Sequence, residues 1–149
     1  MRSPIRKSLW VAGSFLVAMG QAGVASAHNQ GGSFTTGGAG AVDFYQIICG
    51  AGTHHLRFQV KDITANTAKV SVLVHKGTSC TPACARNITD EFDTDAEYSP
   101  LIKAVQGTGV YNMFVKHTTA GFDSYDVQYH CEDANNGHTD TSIVSRQQK

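Results

Sequence analysis

No window of this chain repeats apolar residues at helical spacing over ten or more positions, which argues against a helical architecture from the outset. Catalytic signatures are missing as well. There is no G-x-S-x-G nucleophile turn, no H-E-x-x-H zinc helix and no phosphate-binding P-loop, so the reaction classes those motifs serve have no support. No basic run or basic face is present, which argues against nucleic acid and anionic membrane surfaces as partners. Internal repeats are absent too. Beyond residues 9–19, no apolar stretch comes near membrane length, so no span is expected once that segment is removed.

What is there begins with the three-part form of an export signal. Arg2, Arg6 and Lys7 give a positive start, residues 9–19 an apolar centre, and Ala25-Ser26-Ala27 a small-residue cleavage site. Cleavage after Ala27 makes His28 the first residue and leaves nine Lys and Arg against twelve Asp and Glu, a net charge of −3 with His neutral. The expected location is secreted or periplasmic, and the style of the signal is bacterial. All four cysteines, Cys49, Cys80, Cys84 and Cys131, fall after the signal. An even count in an exported chain reads as disulfides. Of the three possible pairings the favoured one is Cys49–Cys131 with Cys80–Cys84. The first closes the longer loop, and the C-x3-C spacing of the second is not that of a redox or haem motif.

Short alternating segments fill the rest. Leu56, Phe58 and Val60 share one strand face, as do Val70, Val72 and Val74, then Tyr111, Met113 and Val115, then Tyr125, Val127, Tyr129 and Cys131. Residues 42–49 are rich in aromatic and β-branched types, and Tyr98–Val105 is a weaker candidate strand. Turn-formers such as Gly50-Ala51-Gly52 separate them. The pattern predicts an all-β, disulfide-bonded antiparallel sandwich, jelly-roll or immunoglobulin-like, of six to eight short strands. The expected organisation is a signal peptide over 1–27, a flexible Gly-rich leader over 28–41, the sandwich over 42–140 and a polar tail over 141–149.

Asp43-Phe44-Tyr45, then Gly109-Val110-Tyr111 leading to Val115, then Tyr125-Asp126-Val127 follow the order D-x-Y, G-x-Y-x-x-x-V and Y-x-V. In this the chain resembles the bacterial pre-peptidase C-terminal domain. The resemblance implies a secreted jelly-roll-like sandwich that assists secretion or binds polymers. The four cysteines depart from that pattern.

Two sets of residues could hold a metal. His28, once freed at the amino terminus, offers an amine and an imidazole on one residue, and a second imidazole would complete an N3 site suited to Cu(II). This resembles the histidine brace of copper-dependent polysaccharide monooxygenases and of small periplasmic copper carriers. His54, His55, His75, His117, His130 and His138 are candidate partners, with His130 and His138 flanking one loop. His54 and His55 are expected to point to opposite faces of a strand start and so not to share an ion. Asp93, Asp95 and Glu97 alternate and could gather oxygens around calcium, although the EF-hand glycine is missing. No cofactor is demanded; copper and calcium are the two these residues could take. The preferred function is non-catalytic: a binding or surface-associated structural module with a polysaccharide or protein ligand, self-association through sheet edges being open to it. A periplasmic copper-binding protein using His28 is the alternative, and a secreted enzyme with an unrecognised site the third.

Overall fold

A computed structural model describes residues 28–35, 38–77, 84–91 and 97–149. Residues 1–27, Cys80, Asp93 and Asp95 lie outside them. The described residues contain nine strands and no helix: β1 His28–Phe34, β2 Val42–Cys49, β3 His55–Asp62, β4 Val70–Lys76, β5 Ala85–Thr89, β6 Ile102–Ala104, β7 Gly109–His117, β8 Asp123–Glu132 and β9 Thr141–Gln147. They form two antiparallel sheets, of order β1-β8-β3-β6 and β5-β4-β7-β2-β9. The expected all-β sandwich is what the chain adopts.

Alternation decides which way each strand faces. Leu56, Phe58 and Val60 from β3 and Tyr125, Val127 and Tyr129 from β8 turn inward from one sheet. They meet Tyr45 and Ile47, Val70, Val72 and Val74, and Tyr111, Met113 and Val115 from the other. Each such side chain removed from water contributes about 1.5–3 kcal/mol, so this double layer is the main cohesive element. Cys49 at the end of β2 and Cys131 near the end of β8 bond across the two sheets, with Cα atoms 5.4 Å apart. Cross-linking residues 82 apart in sequence stabilises the fold by about 4.5 kcal/mol in the chain-entropy picture. Cys84 is disulfide-bonded as well.

The leader and the tail depart from expectation, and both departures add a strand. Residues 28–34 are no flexible arm. They pair in register with β8, from His28 opposite Tyr129 to Phe34 opposite Asp123. Phe34 is fully buried and stacks on His117 with ring centroids 4.7 Å apart, against Tyr125 at 5.4 Å. Gly32 serves closeness rather than freedom, because Tyr125 crosses directly over it. At the other end, β9 pairs with β2, and Gln148 Nε2 and the Lys149 amide go on to donate to Tyr45 Oη and Asp43. A polar sequence suits such an edge strand, whose backbone needs only a ladder to join.

Beneath that edge lies a buried polar chain. Tyr125 donates to Asp43 and accepts from Tyr45 at 2.8 Å, so every hydroxyl in the pair is used. Burial first, then the Asp43 carboxylate, push the Tyr125 pKa well above the usual phenol value.

Candidate functional site

The topology gathers five of the seven histidines at one end of the four-stranded sheet. There β1 and β3 begin, β8 ends, and the loop after β8 folds back. His28 opens β1, His54 and His55 open β3, and His130 lies near the end of β8. His138 returns through an isolated bridge to Glu132. The return is tightly made. Asp133 Oδ1 accepts the amides of Asn135 and Gly137, both at 2.8 Å, and Asn136 takes the left-handed turn conformation at φ 65°. The Thr139 amide then donates to the Cys131 carbonyl at 2.9 Å.

Within this end, the ring of His130 lies 5.9 Å from that of His28 and 4.5 Å from that of His138, both edge-to-face. The Nδ1 atoms of His28 and His130 are buried and have no hydrogen-bond partner. His130 is 3% exposed. Desolvation, then the positive charge of Arg57 and the neighbouring His138 and His28, push its pKa down to about 4. It is therefore a neutral imidazole at neutral pH, the form that offers a lone pair to a metal. Among the described residues, no three His, Cys, Asp or Glu side chains are preset around one ion. His138 is exposed and His28 only half-buried, so their rings can rotate without disturbing the core.

Beside this trio stands a second arrangement, on the other flank of Glu132. His54 Nδ1 and His55 Nδ1 are 3.2 Å apart, which corrects the expectation that the two rings diverge. Strand alternation does not govern them, because β3 starts at His55 and His54 lies in the short link between the Ala51-Gly52 turn and the strand. That turn was readable in the sequence; its consequence for the pair was not. The His55 Nε2 proton goes to Glu132 Oε2 at 3.0 Å, and Glu132 Oε1 takes the Arg57 Nε–H at 3.1 Å. Burial lowers the His55 pKa against the raising pull of Glu132.

The remaining candidates lie apart. His75 stacks on Phe114 on the five-stranded sheet, and His117 is buried between Phe34, Asp123 and the Gly38 carbonyl. Of the acidic trio, only Glu97 is among the described residues, and it is exposed. A small, partly open depression lined by Arg57, Phe58, Gln59, Leu101, Gln128 and His130 borders the histidine-rich end. Compared with protein-family models and with curated proteins, the chain matches none.

Proposed function

We propose that this chain is an exported, non-catalytic β-sandwich binding module, and that the ligand it takes at its histidine-rich end is a copper ion. The observation that carries the reading is the spacing of His28, His130 and His138. An imidazole nitrogen about 2.0 Å from a metal puts its ring centroid about 3.2 Å away, so two such rings at 90–180° stand about 4.5–6.4 Å apart. The two separations here, 4.5 and 5.9 Å, fall in that range. Unpartnered Nδ1 atoms on His28 and His130 add to the case, since a buried nitrogen without a partner gains most from a ligand.

Export supplies the remaining donor. With cleavage after Ala27, the amine and Nδ1 of His28 close a six-membered chelate ring, and pairing of β1 with β8 from its first residue supports a fixed position for that ring. Nitrogen donors of this kind favour Cu(II) among the available divalent ions. The disulfide accords with an oxidising compartment.

Cu(II) titration of the chain beginning at His28, with affinities from competition and ligand counts from electron paramagnetic resonance, tests the reading. His130→Ala and a chain carrying one extra residue before His28 should each lose affinity by at least about tenfold. Equal affinity in all three proteins, or none in any, overturns it.

A further inference from the structure

We infer that His54 and His55 form a second, independent metal site, a two-nitrogen chelate for a divalent ion such as Zn(II), with Glu132 as its positioning residue. The site shares no ligand with His28, His130 or His138 and stands or falls without them.

The distance between the two nitrogens carries the argument. Two nitrogens each about 2.05 Å from one metal stand about 2.9 Å apart at a right angle and about 3.3 Å apart at the tetrahedral angle. His54 Nδ1 and His55 Nδ1 stand 3.2 Å apart. The same separation accommodates a hydrogen bond in the metal-free protein, and the surrounding groups fix which nitrogen carries the proton. A carboxylate can only accept, so His55 donates its Nε2 proton to Glu132 and keeps a bare lone pair on Nδ1. His54 must then carry the proton on Nδ1 and donate it across the gap. A metal entering that gap displaces this proton to Nε2 of the same ring. No net proton leaves, and the only change of state is a tautomer switch at His54.

The rest of the arrangement is what a metal site of this kind requires. Glu132, His55 and the lone-pair direction of His55 Nδ1 make a carboxylate–histidine–metal line, in which the carboxylate orients the ring and raises its basicity. Glu132 is itself held by Arg57. The backbone of His54 is clamped on both sides, its amide donating to the Glu132 carbonyl at 2.8 Å and its carbonyl accepting from the Gly107 amide at 3.0 Å. His55 is buried and His54 exposed, so one ligand is fixed while the other faces solvent and admits the ion. Water completes the coordination shell, since only two protein nitrogens are committed.

The test uses the chain carrying one extra residue before His28 together with His130→Ala, which removes both the free amine and the buried imidazole of the first site, with ring nitrogens observed by 15N NMR during Zn(II) titration. One ion per chain should bind, His54 should pass from the Nδ1–H to the Nε2–H tautomer, and His55 should keep Nε2–H. Adding His54→Ala, an exposed substitution that leaves the core intact, should abolish that ion. Glu132→Gln should weaken it by about 10–100-fold. Zn(II) that leaves both rings unchanged, or that binds equally with and without His54, overturns the inference. Either outcome leaves the copper reading at His28 to its own test.

Discussion

The Cβ that Gly32 lacks would stand 2.3 Å from the hydroxyl of Tyr125. β1 therefore lies on β8 only because its residue opposite Tyr125 has no side chain, and the tyrosine can reach Asp43 only because β1 leaves that space. Gly32→Ala should force the ring aside and destabilise the fold by about 1–3 kcal/mol in urea unfolding. Gly31→Ala is the control. Its Cβ would meet the Tyr125 carbonyl at an ordinary 3.6 Å, and its cost should stay under about 1 kcal/mol.

Phe34 anchors the other end of β1. Removing its fully buried ring with Phe34→Ala should cost about 3–5 kcal/mol. Amide exchange over residues 28–33 should accelerate more than in β3, because only the edge strand loses its anchor. On the copper reading, affinity at His28 should fall in the same variant, though no ligand is touched.

His130 gives stability a definite pH dependence. Its folded pKa, about 4, lies below the ordinary histidine value of 6.5. The unfolded chain therefore binds its proton first, and stability present above pH 6.5 is lost as pH falls from there toward 4. The loss should amount to roughly 2 kcal/mol, discounted from the full shift for partial solvent screening. Urea midpoints measured across that window should slope downward toward acid, and His130→Gln should flatten the part of the slope that this residue causes.

Reduction probes the bond between the sheets. Replacing both Cys49 and Cys131 with alanine should cost about 2–5 kcal/mol. The loss should appear in thermal unfolding as a lower midpoint with the same far-ultraviolet strand signature.

The inner faces of the sandwich were legible because alternation is a local property. Leu56, Phe58 and Val60, or Tyr125, Val127 and Tyr129, announce a buried side wherever the strand ends up. β1 and β9 were hidden for the opposite reason. Glycine and polar residues carry no periodic signal, and these strands exist only because β8 and β2 present edges for them to join. The same limit applied to the site. His130 and His138 were readable as neighbours because they flank one loop, and the held position of His28 was not, because it depends on the ladder with β8. Alternation misplaces the His54–His55 pair for another reason: it governs strand interiors, and His54 stands one position before the strand.

Cys131 sits between His130 and Glu132, so the covalent bond that joins the sheets also fixes the two residues that organise the histidine-rich end. Without it the end of β8 is linked to β2 through Thr141, whose hydroxyl accepts the Cys131 amide and whose backbone pairs with Cys49, and the imidazole of His130 and the carboxylate of Glu132 share whatever slack those hydrogen bonds allow. The covalent bond removes that slack, so holding the sheets together and holding these two side chains in place are one constraint.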